Sequence, residues 1–254
     1  MSPVLLAAAD IAVVSMDFLQ AQAGGSLLQT LTLYLFFAGT VAMGAGALYF
    51  FLLRNDVAPE YRSTMVVAGL VCAIACFHYY KMTGVYQSGQ GFPTALRYVD
   101  WLFTTPLLLM KFPLLLRMGD RGTKFFWQLV VLDVAMIVTA FIAETSVVDS
   151  QRWWTFFIIS CAFELMIVGV LFVSLGQAIR EAPAPLAKAL ETMRLFVLIG
   201  WAIYPIGFLM ARAGAGEYRE IIYNVADVIN KVGFGLVAYQ GIKAMSHRSH
   251  PAGT

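Results

Sequence analysis

The sequence has few charged residues. Of its 254 residues only 13% are charged, while 60% are hydrophobic. Because ordinary soluble domains carry about 25% charged residues, this composition excludes that class. The formal net charge is only +2, and the basic residues serve as topology signals, so we expect no nucleic-acid partner.

Cysteine and histidine are equally scarce, with three of each. Cys72, Cys76 and Cys161 all fall in apolar stretches and have no metal-ligand spacing with histidine. We therefore predict three small buried apolar side chains and no metal site.

Long apolar runs dominate what remains. A membrane-spanning helix needs about 20 mostly apolar residues, and the sequence contains seven such segments, at 28–53, 63–86, 95–116, 124–144, 153–176, 193–213 and 219–244. The predicted fold class is all-α, a bundle of seven transmembrane helices forming one domain over residues 27–246. A short linker at 182–186, APAPL, is predicted to break the chain between the fifth and sixth spans.

The two ends of the sequence are predicted to be tails. Residues 1–26 have an apolar run but no basic segment before it, so we favour an extracytoplasmic tail over a signal segment. Residues 247–254 are predicted to be a cytoplasmic tail.

Lysine and arginine predict the orientation. One set of connections carries Arg54, Arg62, Arg117, Arg121, Lys124, Arg180, Lys188, Arg194, Lys243 and Arg248. The opposite set carries only Lys81, Arg152, Arg212 and Arg219. Because cytoplasmic loops hold the excess of basic residues, we expect an extracytoplasmic N-terminus and a cytoplasmic C-terminus in the lipid bilayer.

The third span contains charges where apolar residues are expected. It reads RYVDWLFTTPLLLMKF from Arg97 to Phe112. Asp100 and Lys111 share one helix face about 16 Å apart, with Thr104 one turn from Asp100 on the same face. A polar line of this length indicates a path across the membrane. For Lys111 alone, extension of the amine to the membrane surface is the alternative.

The seventh span supplies a second polar pair. Asp227 and Lys231 are spaced i,i+4 and so face the same way. A structural ion pair is one interpretation, but buried lysines also form Schiff bases, and Asp100 and Asp227 would suit the charged nitrogen. Neighbouring spans also contain four aromatic residues, Trp101, Trp201, Tyr204 and Phe208. These could provide a flat apolar surface for a conjugated ligand, or they could be ordinary core residues.

These segments carry a resemblance to a known family. The motifs are RYVDWLFTTPLLL in the third span, WAIYPIGF in the sixth and DVINKVGFG in the seventh, with APEYRST and FHYY around the second. The chain resembles the microbial rhodopsins, and most of all those proteorhodopsins that carry lysine at the cytoplasmic proton-donor position.

The resemblance implies roles for individual residues. All-trans retinal would be bound covalently to Lys231 as a protonated Schiff base, with Asp100 as proton acceptor and counterion and Asp227 as second counterion. Arg97 would lie on the extracellular side, Thr104 would hydrogen-bond Asp100, His78 would pair with Asp100, and Lys111 would be the donor. The retinal would be lined by Trp101, Thr105, Leu108, Met136, Trp201, Tyr204 and Phe208.

The function implied is a light-driven outward proton pump in a bacterial cytoplasmic (inner) membrane, not an enzyme. Its partners would be retinal, protons and lipid, with a homo-oligomer as a further expectation. Chloride and sodium pumps of the family carry other residues at the positions of Asp100 and Thr104, so the resemblance argues against both. A light sensor that signals through a separate transducer stays the alternative. The group that releases the proton is left open among Glu144, Glu217 and Glu220, and Glu164 has no assigned role. Asp133 is expected to be a buried structural carboxyl.

Overall fold

The computed structural model describes residues 26–249, and their side chains up to Met245. This part of the chain is helical throughout and contains no strand. The first four spans are α1 (Leu27–Leu53), α2 (Arg62–Gln87, after a 3-10 turn at Pro59–Tyr61), α3 (Thr94–Leu115) and α4 (Gly119–Glu144). The predicted tails at 1–26 and 247–254 lie almost wholly outside the described residues.

The last three spans each contain a π turn. The fifth comprises α5 (Gln151–Gly169), a π turn (Val170–Ser174) and α6 (Gly176–Glu181). The sixth comprises α7 (Ala184–Leu195), a π turn (Phe196–Gly200) and α8 (Ile203–Arg212). The seventh comprises α9 (Gly216–Val228), a π turn (Ile229–Gly233) and α10 (Phe234–Ser249).

Six of these helices are long and apolar enough to cross a membrane. The remaining one is α3, whose 22 residues include Arg97, Asp100 and Lys111, all buried. It packs between α2 and α4, so its charges face the interior of the bundle. The seven-helix prediction is thereby confirmed, while the orientation in the membrane stays a prediction.

Several helices extend beyond the predicted spans, most of all at the start of the sixth. The sixth span begins at Ala184 rather than at 193, so that only Ala182 and Pro183 of the predicted linker interrupt the helix. Pro185 lies in the first turn of α7, where proline is tolerated because the backbone N–H has no partner within the helix. The fourth span begins at Gly119 rather than at 124.

Close helix contact positions one side chain of the site. The ring of Tyr79 on α2 lies against Gly39 on α1, so closely that a Cβ on Gly39 would lie 2.5 Å from the ring. Tyr79 is fully buried by this contact, and its hydroxyl reaches Asp227 in the seventh span. Glycine at this place therefore lets α1 hold Tyr79 toward the centre of the bundle.

The π turns of the sixth and seventh spans face each other. The Asn230 side-chain amide donates a hydrogen bond to the Gly200 carbonyl at 3.0 Å. A Cβ on Gly200 would lie only 2.2 Å from Asn230 Oδ1. Since Lys231 belongs to the same π turn as Asn230, this contact holds the segment that presents the lysine.

Candidate functional site

Lys231 lies between two buried carboxylates at the centre of the bundle. Its Nζ is 3.2 Å from Asp100 Oδ2 and 3.0 Å from Asp227 Oδ1. Both carboxylates are fully buried, and the lysine is only 2% exposed. A buried charge needs a partner to offset its loss of hydration, so this cluster accommodates a positive nitrogen at Lys231.

The two carboxylates have different surroundings. Asp227 accepts hydrogen bonds from Tyr79 Oη at 2.8 Å, Tyr204 Oη at 2.6 Å and Trp101 Nε1 at 3.2 Å. Within the described part of the chain, neither oxygen of Asp100 accepts a hydrogen bond. Of the two carboxylates, Asp100 is therefore the one whose oxygens remain free to accept a hydrogen bond from Lys231.

His78 and Thr104 both lie beside Asp100, but neither donates a hydrogen bond to its carboxylate. His78 Nδ1 is 3.6 Å from Asp100 Oδ1, although its nearest partner is the Ile74 carbonyl at 2.9 Å. The Thr104 hydroxyl donates to the backbone carbonyl of Asp100 at 2.8 Å. This hydroxyl thus bonds the main chain of Asp100, as threonine commonly does one turn along a helix.

A chain of alternating charges continues toward the N-terminal end of α3. Arg97, which is 2% exposed, lies 3.3 Å from Asp227 and donates to Glu220 at 2.7 Å. Arg219 then lies 3.0 Å from Glu220 and 2.8 Å from Glu144. Two of the three carboxyls left open by the sequence, Glu144 and Glu220, therefore belong to one network with Arg97.

The third carboxyl, Glu217, lies apart from this network. It accepts two bonds from the hydroxyl of Tyr86, at 2.7 and 2.8 Å. No ion pair joins Glu217 to either arginine of the network in the region that the structure covers.

In the opposite direction along α3, Lys111 is buried beside an aromatic ring. It is fully buried, and its Nζ lies 4.9 Å from the ring centroid of Phe234. The amine makes no hydrogen bond to any described residue. Because Lys111 does not reach the surface, its burial argues against the membrane-surface alternative.

One cavity brings together every residue expected to line retinal. Its walls include Lys231, Trp101, Thr105, Leu108, Met136, Trp201, Tyr204 and Phe208. The rings of Trp101 and Tyr204 meet at 4.7 Å between centroids. We call this space the Lys231 cavity.

Other residues that line the Lys231 cavity were not predicted from the sequence. They include Tyr98, Phe157, Ser160, Tyr223 and Asn230. Asn230 could have been predicted to line the cavity because it precedes Lys231 in the sequence. The other four residues are uncharged, so nothing in the sequence distinguished them from ordinary residues of a span. Asp133 lies behind the wall, where it accepts a hydrogen bond from Thr105 at 2.7 Å.

Comparison with known proteins decides the family. The model of the bacteriorhodopsin-like proteins matches residues 30–245. This chain belongs to the bacteriorhodopsin-like family. The match includes all seven spans and every residue of the cluster around Lys231.

Several members of the family are similar over most of their length. The green-light absorbing proteorhodopsin of Gamma-proteobacterium EBAC31A08 is 33% identical over 210 residues, covering 80% of this chain and 83% of that protein. Bacteriorhodopsin of Halobacterium salinarum is 35% identical over 213 residues, covering 78% and 79%. The crystal structure of Exiguobacterium sibiricum rhodopsin has 46% identity and a TM-score of 0.79, covering 85% of this chain and 98% of that one.

Proposed function

We propose that this rhodopsin is a light-driven proton pump that carries protons outward across a bacterial inner membrane. The observation that supports it most is the position of Lys231 Nζ, about equally close to Asp100 and Asp227 at the wall of an aromatic cavity. The comparisons add relatives named as proteorhodopsin and bacteriorhodopsin.

The residues of the Lys231 cavity fit all-trans retinal. Lys231 would hold it covalently, while Trp101, Trp201 and Phe208 offer flat apolar surface along the cavity. When bound, retinal would supply absorption of visible light and a light-driven change of shape at the lysine end. Asp227, held by three hydrogen bonds from Tyr79, Tyr204 and Trp101, provides a fixed negative charge there.

Asp100 is the proton acceptor in this proposal. Its Oδ2 lies 3.2 Å from Lys231 Nζ, close enough for proton transfer after a small movement. Apart from the ion pair with Lys231, its oxygens have no hydrogen-bond donor among the described residues, so a proton taken from that nitrogen would neutralise a buried carboxylate. His78 at 3.6 Å can stabilise the carboxylate before the transfer and share the proton afterwards.

The network of Arg97, Glu220, Arg219 and Glu144 forms the outward half of the path. Glu144 is its most accessible carboxyl, with 19% of its side chain exposed. A shift of Arg97 away from Asp227 toward Glu220 would change the charge balance at both carboxylates. Because Asp227 and Asp100 share Lys231, the network is linked to Asp100 through these two residues.

Lys111 lies on the inward half of the path. Its amine has no hydrogen-bond partner among the described residues and lies over the ring of Phe234, so it offers a site for a proton on the way from the cytoplasm. It would collect a proton from water that enters from the cytoplasm and pass the proton on toward the nitrogen of Lys231.

Light-driven acidification tests the proposal. Cells expressing the protein with added retinal should acidify an unbuffered medium under light, and a protonophore should abolish the change. Removal of sodium or chloride should leave the signal intact, since Asp100 is a carboxylate suited to protons. A coloured protein that produces no pH change would favour the light-sensor alternative, and alkalinisation would contradict outward transport.

A further inference from the structure

Glu164 is a carboxyl in the wall of the Lys231 cavity. It lies on α5 and borders the cavity together with Cys161, one turn earlier. Its neighbours Leu165 and Met166 are 68% and 52% exposed, as side chains facing lipid should be. Glu164 is only partly exposed, so its side chain is turned to the inner side of the helix.

The carboxyl of Glu164 has no hydrogen bond or ion pair with any residue described by the structure. Several other polar side chains of the cavity wall have partners. Ser160 donates to the Met136 carbonyl at 3.0 Å, Thr105 donates to Asp133, and the Asn230 amide donates to Gly200, while Asn230 Oδ1 accepts no hydrogen bond from a described residue. Glu164 is thus a carboxyl without a partner in the part of the wall that α5 forms.

Glu164 lies away from the lysine end of the cavity. Lys231 is paired with Asp100 and Asp227, and neither pair involves the fifth span. The wall near α5 is instead formed by stacked rings, with Phe157 and Phe208 parallel at 4.9 Å between centroids. A chromophore attached at Lys231 would therefore present its opposite end, the ring, toward α5.

A partly buried carboxyl at membrane depth that has no hydrogen-bond partner is destabilising, and a hydrocarbon ring cannot supply that partner. We propose that the cavity prefers a retinal with a hydroxyl group on its ring, with the hydroxyl forming a hydrogen bond to the Glu164 carboxyl. This inference rests on the proposed function and adds a chemical preference at the far end of the same cavity. A site built around a polar contact discriminates against the analogue that lacks it.

A competition between two chromophores tests this preference. Membranes from cells that make no retinal are incubated with limiting, equimolar retinal and 3-hydroxyretinal, and the bound chromophores are extracted and quantified. The wild type should take up the hydroxylated form roughly three- to tenfold more, as expected for one neutral hydrogen bond. Glu164→Leu should lose the preference, and Glu164→Gln should keep part of it because the amide still hydrogen-bonds. Glu181→Gln, an exposed change outside the cavity, is the matched control.

The outcomes separate this inference from the proposed function. Equal uptake of both chromophores by a wild type that pumps protons would overturn the role of Glu164 alone. A preference that persists in Glu164→Leu would do the same. If Glu164→Leu fails to fold, the ratio of the two bound chromophores in the wild type and in Glu164→Gln still tests the preference. Failure of the wild type to bind either chromophore would instead overturn the proposed function.

Discussion

Lys231 and Lys111 are both buried lysines, yet their surroundings are opposite. Lys231 has two carboxylates within 3.2 Å, whereas Lys111 has an aromatic ring at 4.9 Å. The carboxylates stabilise a positive charge on Lys231, whereas burial without a carboxylate partner disfavours a charge on Lys111, and the ring of Phe234 offsets only part of that cost. At the scale of single residues, this difference is the reason why we propose that Lys231 holds the chromophore and that Lys111 carries a proton only in passing.

Replacing Lys231 by alanine should abolish chromophore binding. No nitrogen remains for the covalent link, so visible absorbance after addition of retinal should be absent. The variant also leaves Asp100 and Asp227 without their shared cation, which should lower stability by about 3–5 kcal/mol. Absorbance and thermal unfolding measure the two effects, with the exposed Lys188→Ala as control. Covalently attached retinal in the alanine variant would refute the assignment.

Replacing Lys111 by methionine should separate function from stability. Methionine fills a similar volume and removes a buried amine that has no hydrogen bond among the described residues, so the melting temperature should stay equal or rise. The resting colour should barely change, but recovery of the visible absorbance after a flash should slow by about tenfold or more. Unchanged recovery kinetics would make Lys111 a bystander, and a large loss of stability would make it structural.

At the scale of elements, the network of Arg97, Glu220, Arg219 and Glu144 joins α3, α4 and α9 at one end of the bundle. Removing one charge from its middle should disturb the release of protons more than their transfer to Asp100. Glu220→Gln should therefore delay the appearance of protons in the medium after a flash, as followed with a pH-sensitive dye. Glu217→Gln, outside the network, should retain the wild-type delay. Equal delays in the two variants would remove Glu220 from the release path.

The contact between the two π turns provides a test at the same scale. An alanine Cβ at Gly200 would lie 2.2 Å from Asn230 Oδ1, so Gly200→Ala should force the turns apart. We expect a loss of about 1–3 kcal/mol in stability and a shift in visible absorbance, because Lys231 adjoins Asn230. Gly169→Ala is the matched control, since nothing lies within 4 Å of its Cβ. A Gly200→Ala protein with the wild-type melting temperature would show that the contact is adaptable.

The sequence predicts the spans better than the contacts between them. Apolar runs reveal helices that face lipid, and the i,i+4 spacing reveals that Asp227 and Lys231 share a face. The bonds from Tyr79 to Asp227 and from Arg219 to Glu144 join residues 148 and 75 positions apart, and only packing brings them together. The π turns were likewise not predicted, because they use the same apolar residues as the α-helices beside them.

At the scale of the whole molecule, the two halves of the proposed path differ in polarity. From Asp227 to Glu144 charged groups follow one another within hydrogen-bond distance. Around Lys111 no ion pair joins the described residues in this way, and its neighbours along α3 include the buried apolar residues Leu108, Leu109 and Phe112, which offer a proton no site. This asymmetry favours transfer toward the end predicted to be extracytoplasmic and makes uptake from the other side depend on entering water.

The initial rate of light-driven acidification tests the central claim most directly. It is measured in unbuffered suspensions of cells expressing equal amounts of wild-type protein and Asp100→Asn, with retinal added. The account predicts acidification by the wild type that a protonophore abolishes, and a rate at least about 100-fold lower in Asp100→Asn, which keeps the fold but lacks the acceptor carboxylate. Acidification by Asp100→Asn at the wild-type rate, or wild-type alkalinisation of the medium, would contradict it.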